Sequence, residues 1–166
     1  MNKYLFFLLF FSGISYFAKG QNNLNPILVK KISGSFSYFK RDESGNVFAV
    51  TSSGQLKKYN TNLDSMGVFN DIRGLGNVDN VTSINSLRTL LFFKQFRIVL
   101  LLDRLMQVVN KINLSKIQVF QVQAVTQSYD NNIWVFDEQE SKLKKISEDG
   151  KLIFESADLR LVFSDA

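Results

Sequence analysis

Asn132-Ile133-Trp134-Val135-Phe136 is the third of three similar segments in this chain. Thr89-Leu90-Leu91-Phe92-Phe93 starts 43 residues before it, and Asn46-Val47-Phe48-Ala49-Val50 starts 43 residues earlier again. Each is short, apolar and rich in β-branched or aromatic residues, the composition of a pleated, buried strand. A second apolar segment follows each one, at residues 56–59, 98–102 and 143–146. A period of about 40–45 residues with several short strands per unit is the pattern of β-propeller blades. The expected fold class is therefore all-β, with four strands to a blade.

Working outward from these segments fills each unit. In the first, strands are expected at residues 36–39, 47–51, 56–59 and 66–70, with turn-forming residues at 42–46 and 52–54. The second takes 81–84, 89–93, 98–102 and 107–112, with a tight hairpin at Lys94-Gln95. The third takes 124–128, 133–136, 143–146 and 152–154, and Asp149-Gly150 between its last two strands is a strong hairpin signal. Residues 71–80, with two glycines, read as the connection between blades. Residues 87–109 are apolar enough for a helix, but Lys94, Gln95, Arg97, Asp103 and Arg104 fall where a buried helix would not accept them all.

The first twenty residues have a different character. Met1-Asn2-Lys3 is a short basic start, residues 4–17 are apolar but for Ser12, Gly13 and Ser15, and Ala18-Lys19-Gly20 places small residues where signal peptidase reads. The expected organisation is a signal peptide at 1–20, an N-terminal leader at 21–35 and an incomplete propeller domain at 36–166. The alternative is an uncleaved membrane anchor, but the apolar run is shorter than the ~20 residues of a spanning helix; no stable membrane span is expected after cleavage. A secreted or periplasmic location follows. Cleavage would remove two of the 20 basic residues, leaving about 18 against 15 acidic ones. Those charges are spread along the chain, which argues against a nucleic-acid surface.

The chain has no cysteine and no histidine. Ser-His-Asp catalysis, cysteine nucleophiles, zinc sites built on His or Cys, and His-ligated haem are excluded. Carboxylate chemistry, lysine chemistry and hard-metal binding through oxygen remain. Asp42, Glu43, Asp130, Asp137, Glu138 and Asp149 sit in or beside turns, but their spacing is not that of a calcium loop. No catalytic, metal-binding or cofactor-binding residue is assigned, and no cofactor is expected. The candidate binding residues are Lys57, Lys58, Lys144 and Lys145, which hold matching places in two repeats, together with Leu161 and Phe163. The lysines read either as a basic rim for an acidic partner or glycan, or as the solvated side of outer strands. Trp134, the only tryptophan, is expected in the core of the third blade with Lys144 and Lys145 on its surface. Phe92, Phe93 and Phe96 are expected between blades.

Ile133 to Asp137, then Lys142-Leu143-Lys144-Lys145-Ile146, then Asp149-Gly150-Lys151-Leu152 resembles one NHL-type propeller repeat: apolar strand, Asp, polar turn, basic and apolar strand, Asp-Gly. Residues 47–59 are a weaker copy with Thr51 in place of Asp137, and the second unit departs further. The chain is also similar to uncharacterised secreted bacterial propeller proteins. The resemblance implies an interaction platform, a minority of such propellers being lyases or hydrolases. Residues 157–163 read as the start of a fourth blade without a partner, as expected of a truncated product or of a propeller that closes by self-association. The functional expectation is an exported, non-catalytic propeller that binds a protein or cell-envelope component. The alternatives are a carboxylate-based polysaccharide-active enzyme and a fragment without independent function.

Overall fold

The computed structural model describes residues 26–70, 73–85 and 87–162. The chain divides into two units, Met1–Lys31 and Ile32–Ala166. The described part of the first unit, residues 26–31, carries no helix or strand, and the expected signal peptide lies outside the described residues.

The described residues of the second unit form twelve strands in three antiparallel sheets, each sheet in simple up-and-down order. The first sheet comprises β1 (Phe36–Arg41), β2 (Val47–Thr51), β3 (Leu56–Tyr59) and β4 (Ser65–Phe69). The second comprises β5 (Asn80–Asn85), β6 (Arg88–Phe93), β7 (Ile98–Leu102) and β8 (Val108–Asn113). The third comprises β9 (Val122–Gln127), β10 (Ile133–Asp137), β11 (Lys142–Ile146) and β12 (Leu152–Glu155). Residues 87–109 are thus strands and turns, not a helix. Lys94 to Phe96 forms a short 3-10 turn that ends at Arg97, which has φ 54°.

One turn recurs across the sheets. In residues 42–46, 51–55, 60–64, 103–107, 128–132 and 147–151, the first residue's N–H donates to the fifth carbonyl, and the fourth N–H donates back to the first carbonyl. The first residue is always Asp, Thr, Asn or Ser, and in five cases its side chain accepts the fifth residue's N–H. The fourth residue has positive φ, and is Gly45, Gly54, Leu63, Met106, Asn131 or Gly150. Short polar side chains that mimic a backbone acceptor and residues that tolerate left-handed backbone are what such a turn requires.

The middle sheet explains its own continuous apolar sequence. Alternate residues of a strand point to opposite faces. Leu91, Phe93, Leu100 and Leu102 enter a core shared with Phe48, Val50 and Leu56 of the first sheet. Leu90, Phe92, Val99 and Leu101 enter a second core with Val125, Ile133, Val135 and Ile146 of the third. Both faces are covered, so residues 90–93 and 98–102 are apolar on each. Burial of each such side chain contributes about 1.5–3 kcal/mol. Phe92 and Phe93 therefore do pack between sheets, on opposite faces, whereas Phe96 is exposed.

Residues 157–162 form no strand of a fourth blade. Leu159–Val162 is a single helical turn, α1. Asp158 precedes it, accepting the Arg160 N–H at 2.9 Å and pairing with the Arg160 guanidinium at 2.6 Å. That local cap satisfies backbone donors that a lone strand would leave open. Leu161 is exposed, and Phe163 lies outside the described residues.

Candidate functional site

The dilysine residues are split by the pleat. Lys57 pairs with Ala49 and Lys58 with Phe48 in the first sheet, while Lys144 pairs with Val135 and Lys145 with Trp134 in the third. The two pairs hold matching places, as expected, but each sends one lysine to each face. Lys58 is 2% exposed and lies over the Phe48 ring at 5.4 Å. Lys144 is 4% exposed. Neither belongs to a basic rim or to a solvated strand face, so the expectation of a surface Lys144 is corrected, and the four lysines do not converge.

Lys144 is held by an ion-pair network that starts from the turn after β10. Asp137, itself buried, accepts N–H groups of Gln139 and Glu140 with Oδ1 and the Lys144 Nζ with Oδ2 at 2.9 Å. Glu140 lies 3.0 Å and Glu155 3.7 Å from the same Nζ. Burial works against the Lys144 charge, but bonds from Asp137 and Glu140 outweigh it and hold its pKa above the ordinary lysine value. The Glu140 carboxyl is held below its usual range by Lys144. The Asp of the NHL-like pattern is thus a turn former and a buried counter-ion. In the first sheet Thr51 takes its place, with a hydroxyl that accepts the Gln55 N–H.

Trp134 is also corrected. Ile133 and Val135 face the second core, so Trp134 points the other way and is only partly buried. Its ring meets Phe154 edge-on at 5.9 Å, and Lys145 Nζ lies 5.0 Å above it and 5.4 Å from the Tyr129 ring. Lys145 also pairs with Asp130 at 2.6 Å, which together with Ser128 lowers the Asp130 pKa. The outward face of the third sheet is therefore aromatic and cationic, and half of Phe154 is open to solvent.

A second region lies where the innermost strands β1, β5 and β9 come together. Asn80 ties all three, accepting Lys40 Nζ at 2.9 Å and donating to the Val125 carbonyl at 2.9 Å. Beside it opens a groove of about 600 Å³, lined by Lys40, Arg41, Thr82, Thr126, Gln127 and Tyr129 among others. Its acidic members, Asp42 and Glu43, are sequence neighbours on one turn, and Asp42 spends both carboxylate oxygens on Asn46. Sequence reasoning missed this groove because it assembles polar residues from three units; the inward position of β1, β5 and β9 in each blade was the available signal.

No family model and no curated relative matches the sequence. Solved structures do resemble the fold. Virginiamycin B lyase from Staphylococcus aureus aligns with TM-score 0.54 and 12% identity over 78% of this chain and 43% of its own. Apo AztD from Citrobacter koseri gives 0.54 and 13% over 80% and 38%. YCF48 bound to D1 peptide gives 0.53 and 12% over 81% and 44%. These are β-propeller proteins. The three sheets are propeller blades. The chain spans less than half the length of these three structures. Among the described residues no helix is long and apolar enough to cross a membrane.

Proposed function

We propose that this chain is an exported, non-catalytic propeller unit that holds a protein or cell-envelope component at the groove between its inner strands. The carrying observation is the groove itself. It offers hydroxyl, amide and cationic groups beside the almost fully exposed Tyr129 ring, chemistry that suits a peptide or a glycan. Two further facts support binding over turnover. Asp42 is committed to its turn, whereas glycoside hydrolysis needs two cooperating carboxyl groups about 5–10 Å apart. One of the similar lyase structures is a catalytically inactive histidine-to-alanine variant, and these 166 residues contain no histidine. YCF48, seen with a peptide bound, illustrates what the architecture can do.

Export rests on the basic start, apolar run and small residues of positions 1–20. Lys57, Lys145 and Leu161 keep accessible surface and are further candidate contacts; Lys58 and Lys144 do not. The test is capture from envelope extract by the immobilised chain and by the Arg41→Ala/Tyr129→Ala variant. The variant is expected to retain its fold and lose most of the captured material. Capture unchanged by both substitutions, or hydrolysis of an envelope glycan abolished by Asp42→Asn, would overturn the reading.

A further inference from the structure

Tyr38, Val50, Leu56 and Phe69 stand opposite one another across the first sheet. Val50, Leu56 and Phe69 belong to the core shared with the middle sheet, and Tyr38 packs against it. This is the row nearest the turn between β2 and β3. Beside it opens a cleft of about 650 Å³. Its walls are Ser37, Tyr38 and Val50, residues 51–54 of that turn, and residues 76–78 of the connection to the second sheet. No charged residue lines it among the described residues.

A comparison of turns explains why the space stays open. In the second sheet the corresponding turn is Lys94-Gln95-Phe96-Arg97, whose long side chains cross to the next blade. Lys94 Nζ donates to Gln123 of β9, and Arg97 Nε donates to Ser115 of the connection leading to it at 2.7 Å. In the first sheet the turn is Ser52-Ser53-Gly54, too short to cross. The Ser52 hydroxyl pairs with that of Ser35 at 2.6 Å, and Ser53 with Thr51 at 2.8 Å. The facing connection cannot fill the gap either. Gly76 has φ 73°, and a Cβ there would lie 3.1 Å from Gln95 Oε1 and 3.2 Å from Phe96 Cε2. Only backbone fits at that position.

We infer that this cleft is a second ligand site, built for a neutral saccharide. Its apolar wall is Val50, Val78 and the half-buried Tyr38 ring. Its polar wall is the hydroxyls of Ser37, Thr51, Ser52 and Ser53 with the exposed Asn77 amide. Each hydroxyl can donate one hydrogen bond and accept two, so those already paired with one another keep capacity for a ligand. A sugar presents the same combination, an apolar C–H face edged by hydroxyls. A charged ligand would leave water without a counter-charge to meet it. The volume lies within the range of small-molecule sites. The cleft takes Ser37 and Tyr38 at one end of β1 and the groove takes Lys40 and Arg41 at the other, so this inference does not rest on the groove.

Titration of the purified chain with maltose, cellobiose and N,N′-diacetylchitobiose, followed by amide resonances in two-dimensional NMR, tests it. At least one sugar is expected to give saturable shifts centred on residues 51–54 and 76–78. Glucuronate, a sugar ring with a carboxylate, is expected to give none there. Ser53→Ala/Asn77→Ala alters two exposed side chains, so it keeps the thermal transition while the sugar's dissociation constant weakens by about tenfold, as for two lost hydrogen bonds. Arg41→Ala/Tyr129→Ala leaves the shifts intact. No saturable shift with any of the three sugars overturns the inference. So do shifts centred on the groove, an equal response to glucuronate, or an affinity unchanged by Ser53→Ala/Asn77→Ala. Loss of envelope capture in the groove variant with the sugar shifts intact leaves this inference standing, so the two readings fail separately.

Discussion

The first and third sheets carry the same aromatic-plus-lysine pair in the same register, and the two pairs live in different environments. Phe48 and Lys58 are closed off by the middle sheet, whereas Trp134 and Lys145 face outward. Local sequence is nearly identical in type; what differs is whether the row faces the middle sheet or away from it. Burial in a stacked-sheet fold is a property of the neighbour as much as of the strand, and substitutions on covered and open faces measure the difference.

The largest effect is expected in the middle sheet. Phe92→Ala removes a ring that is 2% exposed in the second core and should cost about 3–5 kcal/mol. Leu143→Ala, on the outward face of the third sheet, should cost less than about 1 kcal/mol. Equilibrium denaturation measures both; equal costs would remove the distinction between covered and open faces.

Next come the two lysine pairs of the third sheet. Asp137→Ala leaves Lys144 buried with only the more exposed Glu140 and Glu155 beside it and should cost about 3 kcal/mol. Asp130→Ala, beside Lys145 and open to solvent, should cost far less, because solvent screens that pair. The pH dependence carries the same signature. Glu140 and Asp130 have depressed pKa values, so their stabilisation is present above the usual carboxylate range and is lost as pH falls through their folded values. Lys144 and Lys142 have raised pKa values, so their stabilisation holds below the ordinary lysine value and is lost as pH rises past it. Stability that increases on acidification would contradict this assignment.

Smaller effects belong to the turns. Gly150 has φ 78° and would place a Cβ 2.9 Å from Ile112 Cγ2 of the second sheet, so Gly150→Ala should cost about 1–3 kcal/mol. Leu63 holds the equivalent turn position with φ 60° but without that neighbouring sheet; Leu63→Gly should be stabilising by about 1 kcal/mol. Thermal transitions of the two variants moving in the same direction would refute the turn account.

The strands were legible because their punctuation is physical. Turn residues such as Asp42, Gly45, Thr51 and Gly54 and the apolar runs between them locate each strand of the first sheet without tertiary information. The faces were not equally legible. Ile133-Trp134-Val135-Phe136 has no polar member to mark the outward side, and Lys142-Leu143-Lys144-Lys145-Ile146 has lysines on both sides. Asp137 held the clue: it shares a face with Ile133 and Val135, and hairpin register puts Lys144, not Lys145, beside it. At residues 158–162 alternation suggested a strand, and an Asp cap with an Arg two residues on won locally. The groove was harder to read because its lining comes from three strands, and the turns after two of them, far apart in sequence.

The most direct test of the open third face is acrylamide quenching of Trp134, the only tryptophan in the chain, compared between the native and the denatured chain. A ring that faces outward and is only partly buried gives substantial quenching and a red-shifted emission in the native chain. Weak native quenching with a blue-shifted emission, as of a ring enclosed in the core, would contradict the account.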